Sequence, residues 1–189
     1  MKVLSLNRSR AEALPTSQGP VSSAIRKRAV DAACPIGPDG VEGDEQADLR
    51  VHGGPSKAVY AYPSEHYPFW ATVRAQAGLG SWNDTLPWGS MGENLSLQGL
   101  LETQVWQGDR LCFDGGLELV VSEPRQPCFK FNAVMGFAQA AKLMAQSGYC
   151  GWYLAVAQGG VLRPGAGFEL RPGPRELSIP ELFRMTMRS

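Results

Sequence analysis

No C-x-x-C pair occurs in the 189-residue chain: Cys34, Cys112, Cys128 and Cys150 are widely scattered, so neither a zinc ribbon nor a thioredoxin-type motif is supported. Net charge is missing too, since 18 Lys and Arg balance 18 Asp and Glu. That balance gives no global attraction to nucleic acid or to an anionic membrane surface, so an anion site has to come from a local basic cluster. Long apolar runs are absent. No stretch reaches the length of a bilayer span, and Met1 to Asn7 is apolar for only a few residues before Arg8 and Arg10, too short for the core of a signal peptide. A cytoplasmic setting with reduced thiols is the expectation. Histidine is scarce: His52 and His66 are the two in the chain, and imidazole is the side chain best suited to proton transfer near neutral pH.

What remains is the composition of one ordinary globular domain, long enough to bury a substantial core. The 22 glycines and 14 prolines punctuate it often enough to favour short strands and turns over a helical bundle. Residues 3–7, 24–30, 57–62, 93–97, 110–113 and 117–122 are rich in apolar, aromatic or β-branched side chains and read as strands. Asp114-Gly115-Gly116 reads as a hairpin turn, because these residues accept positive φ cheaply. Two helices are expected. Ser64 caps one running to about Ala77, with Tyr67, Trp70, Val73, Arg74 and Ala77 on one face. Asn132 caps another from Ala133 to Gln146, ending at Gly148. Residues 179–185 make a short amphipathic helix behind the Pro/Gly-rich linker Arg171-Pro172-Gly173-Pro174, which separates that tail from the main body.

Three segments carry candidate chemistry. In the stretch from Gly40 to Pro55, glycines flank Asp44 and His52, which lets backbone N–H groups approach a bound group closely; a turn with solvated carboxylates is the plain alternative. Between Ser122 and Asn132, Pro124 and Pro127 fix the backbone around Cys128 while Arg125 and Lys130 supply positive charge that favours a thiolate, the form that binds a soft metal or attacks an electrophile. A buried cysteine beside ordinary surface charges is the alternative there. Asn94, where a glycine-rich loop enters a strand, can hold the polar edge of a ligand or merely cap its loop. Ser22 and Ser23, ahead of Arg26, Lys27 and Arg28, can add hydroxyls and charge to a phosphate site.

Together, Gly43-Asp44, Asp48, Val51-His52-Gly53-Gly54, Ala58-Val59-Tyr60-Ala61-Tyr62-Pro63, His66-Tyr67, Gly92-Glu93-Asn94-Leu95 and Pro124-Arg125-Gln126-Pro127-Cys128-Phe129-Lys130 resemble the MOSC-domain family, in order and content its YiiM-like branch. The resemblance covers roughly residues 1–172 and leaves residues 173–189 as a tail with one short helix, where such proteins usually continue into a small helical domain. It implies a β-rich α+β fold, a MOSC-type β-barrel with a few peripheral helices. It also implies the molybdenum cofactor (molybdopterin), with Cys128 as the metal ligand and a catalytic residue; pyridoxal phosphate is not expected. The implied reaction is reduction of N-hydroxylated compounds, such as N-hydroxylated purine bases, with electrons from a partner redox protein. In that mapping Arg125, Lys130, Ser23 and Arg26 neutralise the pterin's phosphate, Asn94 and the loop His52-Gly53-Gly54 shape the pocket, and His52 is the second catalytic candidate. No nucleic-acid or membrane partner is implied, and a homodimer is left open. Two other classes fit the same cysteine: a cofactor or sulfur carrier without turnover, and a hydrolase or transferase pairing Cys128 with His52 or His66.

Overall fold

The computed structural model describes residues 1–47 and 53–187. Strand β1 (Lys2–Arg8) buries Val3 and Leu6 completely. It is followed by β2 (Glu12–Leu14) and β3 (Val21–Ser23), which pair only with each other. β4 (Arg28–Val30) returns antiparallel to β1, and β5 (Cys34–Gly37) and β6 (Gly40–Val41) form a hairpin. Beyond a 3-10 turn at Pro55–Lys57 come β7 (Val59–Pro63), helix α1 (Tyr67–Gln76) and β8 (Leu95–Gln98). The second half contributes β9 (Arg110–Phe113), β10 (Glu118–Pro124), helices α2 (Phe129–Met135) and α3 (Ala140–Ser147), then β11 (Trp152–Gln158), β12 (Gly160–Leu162), β13 (Phe168–Arg171) and helix α4 (Ile179–Thr186).

Eight strands make the main sheet in the order β13-β9-β10-β11-β7-β8-β1-β4. All its pairings are antiparallel except β7 with β8, whose connection runs through α1 as a parallel pair requires. β12, β5 and β6 form a smaller sheet. The fold is thus sheet-rich α+β, and among the described residues no ladder closes it into a barrel. The start of β1 does reach the approach to β13, where Val3 N donates to Ala166 O at 2.9 Å and Gly165 N to Val3 O at 2.7 Å. The expected hairpin forms: Glu118 lies opposite Cys112 across a turn in which Gly115 and Gly116 have φ of 86° and 87°.

Three expectations are corrected. Residues 24–30 are not one strand: residues 24–27 are irregular, with Lys27 N bonded to Ile25 O at 2.9 Å in a tight turn. The helix expected over 133–146 is two helices. Gly136, left-handed at φ 83°, ends α2 with its N–H on Asn132 O, and the Asn132 side chain then accepts from Ala141 N at 2.7 Å, capping the following helix instead of its own. The Pro/Gly stretch after β13 is no free spacer either. Gly173 N donates to the buried Asp109 carboxylate at 2.7 Å and Ile179 N to Val105 O at 2.9 Å, while α4, started by a Ser178–Glu181 capping box, places Ile179 and Phe183 in the core.

Candidate functional site

Strand β10 ends at Pro124, beyond a register shift in its pairing with β11. Arg125, Gln126 and Pro127 then carry the chain to Cys128, which is the N-cap residue of α2, in extended geometry (φ −137°, ψ 168°). α2 is held down by Phe131, buried edge-on against Trp70 at 5.1 Å. Cys128 is therefore fixed at a strand-to-helix junction, half-buried, and it lines a small solvent-open cavity of about 90 Å³.

One wall of that cavity is organised by Asp44. Its carboxylate accepts from Ser9 N at 2.8 Å, from Asn94 Nδ2 at 2.8 Å and from Lys27 Nζ at 2.6 Å. Burial pushes the Lys27 pKa down, while Asp44 acts to hold it up. Asn94 ties three pieces of backbone and side chain together: besides Asp44, it donates to Asn7 O at 3.2 Å and accepts from Tyr60 N at 3.0 Å. Next to it, the fully buried Glu93 accepts from Gly89 N (2.9 Å), Met91 N (3.1 Å), Ser96 Oγ (2.6 Å) and the Tyr67 hydroxyl. Glu93 thereby shapes the loop that brings Met91 and Gly92 to the cavity. Positive φ at Gly89 and Gly92 is required there, and a Cβ would lie 2.6 Å from Lys27 O or 2.8 Å from Ile25 Cγ1.

The opposite wall is aromatic and cationic. Arg125 is 4% exposed and has no carboxylate partner among the described residues; its Nη1 meets Met144 Sδ at 2.9 Å, and its guanidinium lies 4.9 Å from the Phe131 ring centre and 5.6 Å from that of Tyr60. Desolvation is the largest influence on this cation and acts to lower its pKa, while the acidic side chains around it, Tyr60 first, act together to raise it. A buried charge without a counter-ion is expensive, so the arrangement is one that an anion in the cavity completes. Lys57 lies 3.5 Å from Glu123 and 5.7 Å from the Tyr153 ring centre, and Lys130 reaches Ser22 O at 3.4 Å.

The structure thus brings Cys128, Arg125, Lys130, Asn94 and Ser23 to one cavity. Arg26 is not part of it: it faces solvent and lies 3.9 Å from Glu12, because the turn at residues 24–27 points Lys27 inward in its place. Gly53 and Gly54 do not line the cavity either; Gly54 N donates to Gln46 Oε1 at 2.8 Å and opens the 3-10 turn. His52 and Asp48 lie outside the described residues. His66 is buried elsewhere, 2.7 Å from Glu102 and stacked on Tyr149 at 3.8 Å, which removes it as a base for Cys128. Sequence reasoning missed Lys57, Gln46 and Tyr153 as cavity residues. Tyr153 stands on β11, a strand whose alternation is masked because both its faces are covered at the start.

These features define a sheet-rich α+β domain with one cysteine presented at a cationic cavity. Residues 48–169 match the model of the MOSC domain, and the chain belongs to that family. It is 40% identical over 161 residues to the protein YiiM of Escherichia coli, covering 84% of this chain and 68% of that protein. To the uncharacterized protein YflK of Bacillus subtilis it is 39% identical over 168 residues, 89% of this chain and 72% of that one. A protein of Gibberella moniliformis named reductase is 34% identical over 159 residues, 83% of this chain but 27% of that longer protein. The crystal structure of YiiM from Geobacillus stearothermophilus superposes with a TM-score of 0.76 at 30% identity, over 98% of this chain and 83% of that one.

Proposed function

We propose that this chain is an oxidoreductase that holds the molybdenum cofactor in the Cys128 cavity and reduces N-hydroxylated compounds. The observation that carries the reading is the pairing, in one cavity, of a thiol with a buried guanidinium that has no carboxylate partner among the described residues. A soft metal is bound by thiolate, and an anionic group is bound by a guanidinium, so the donor set fits a molybdenum–pterin phosphate. The cofactor supplies two-electron redox chemistry when bound. The chain's own part is to anchor: Cys128 is the metal ligand, and Arg125 and Lys130 counter the phosphate, with Ser23 beside them. Asn94, through Asp44 and Tyr60, keeps the wall in place. In the reaction the substrate takes up two electrons and two protons, the N–O bond breaks, and the amine and one water leave. The fungal relative's name, reductase, supports this class of reaction. We further read the contact between the start of β1 and the approach to β13 as the seam of a barrel, the setting as cytoplasmic, and the electron source as a separate redox protein.

The test is reduction of an N-hydroxylated purine base, with an artificial electron donor, by wild type, by Cys128→Ser and by wild type from molybdenum-starved cells, with metal and pterin measured per chain. Turnover confined to the first sample is expected. Equal rates in all three overturn the proposal, and bound pterin without turnover in any sample replaces it with a cofactor carrier.

A further inference from the structure

Four tyrosines belong to the core, and three of their hydroxyls are engaged. Tyr60 donates to Cys150 O at 2.8 Å, Tyr62 to Tyr149 O at 3.1 Å and Tyr67 to the Glu93 carboxylate. Tyr153 differs. Its ring is 9% exposed and packs against Tyr60, with centroids 5.3 Å apart, yet among the described residues its hydroxyl meets no hydrogen-bond partner. Nor is that oxygen sealed in: among the described residues the one sealed side-chain polar atom without a partner is Trp152 Nε1. The Tyr153 hydroxyl therefore opens onto the space its ring lines, the Cys128 cavity. A buried tyrosine normally finds a partner for its hydroxyl, and phenylalanine would satisfy the packing equally well.

The neighbouring polar side chains cannot serve the same purpose. Asn94 and Asp44 are engaged with each other and with backbone, and Gln46 is held by Gly54 N and Lys57 O. Arg125, Lys57 and Lys130 are cations, suited to anions. Ser23 Oγ is engaged as an acceptor by Ile25 N at 3.3 Å, which leaves Tyr153 as the neutral donor with no hydrogen-bond partner among the described residues. Burial pushes its pKa up to about 12 although Arg125 pulls it down, and Cys128 is near enough for its charge to act on the phenol; the group stays a protonated donor throughout the physiological range.

We propose that the Tyr153 hydroxyl determines specificity by donating a hydrogen bond to the oxygen of an N-hydroxylated nitrogen, the one atom that distinguishes the substrate from its amine product. The assignment rests on the reductase reading of the same cavity. A donor so placed favours the hydroxylated compound, because the amine leaves the phenol unbonded. It also favours release of the product once the N–O bond has broken.

Tyr153→Phe removes the hydroxyl and keeps the ring. The variant, purified from a molybdenum-replete host, is expected to match wild type in thermal midpoint and in pterin and molybdenum per chain. Calorimetric titration with an N-hydroxylated purine base and with the corresponding aminopurine should show that wild type prefers the former. In the variant that preference should fall about tenfold, through weaker binding of the hydroxylated base alone. An unchanged ratio overturns the assignment and leaves the reductase reading standing. Loss of pterin in the variant also overturns it, by placing the hydroxyl on the cofactor. A wild type that binds the two bases equally well overturns it without recourse to a mutant, and one that binds neither overturns both readings.

Discussion

Lys27 Nζ lies 2.6 Å from both carboxylate oxygens of Asp44, with the two side chains only 8% and 7% exposed. Removing one member of such a pair leaves the other buried and uncompensated. Asp44→Asn should therefore cost about 3–5 kcal/mol in urea unfolding at neutral pH. The sign of its pH dependence follows from Lys27, whose pKa is already lowered by burial and falls further without Asp44. The unfolded chain then binds the proton more tightly than the folded one, so stability rises with pH up to the ordinary lysine range. The deficit of the variant should be smaller at pH 9 than at pH 7.

Arg125→Met replaces a cation lodged among Tyr60, Phe131 and Met144 by an apolar chain of similar length. Because the guanidinium has no carboxylate partner among the described residues, the variant should be more stable by about 1 kcal/mol or more. It should also retain much less pterin when purified. Unfolding midpoints and pterin fluorescence after denaturation report the two effects separately, and a destabilised variant with full pterin would refute this account of Arg125.

Glu93 gives an acid-side prediction. Burial raises its pKa above the ordinary carboxyl value, against the four donors that favour its ionised form. The folded state thus takes up a proton before the unfolded chain does, and this contribution to stability is full below the unfolded pKa and lost as the pH rises through the folded one. Glu93→Gln cannot titrate. The stability of wild type minus that of Glu93→Gln should accordingly grow when unfolding is measured at pH 5.5 instead of 7.5.

The break between α2 and α3 explains what could be read in advance. Apolar spacing from Val134 to Met144 is continuous enough to suggest one helix, and nothing local signals that Asn132 caps its successor. That role depends on where Ala141 lies once Gly136 has reversed the chain. The same holds at residues 24–27, where β-propensity is overridden by the inward turn of Lys27 toward Asp44, a partner 17 residues away. By contrast, Arg110–Phe113 and the Asp114-Gly115-Gly116 turn are governed by local preferences and read correctly, as is α4. That Cys128, Arg125 and Lys130 line one cavity was legible because they share one short segment that begins at Pro124. Tyr153 was not, since its importance lies in an unbonded hydroxyl that no spacing reveals.

Asn132→Ala tests the capping assignment. Loss of a side-chain acceptor at a helix N-terminus costs about 1 kcal/mol, and here the loss should appear in α3. Hydrogen exchange at Ala141 N should accelerate while that at Gly136 N, which ends α2 through a backbone carbonyl, changes little.

The walls of the cavity come from pieces as far apart in the chain as Ser23, Asp44, Tyr60, Asn94, Cys128 and Tyr153. During synthesis these pieces emerge over most of the chain's length, and Tyr153 leaves the ribosome well after Cys128. A nascent chain therefore offers its thiol before it can offer the enclosure around it. A ligand that needs every wall of the cavity binds only after β11 has taken its place between β10 and β7.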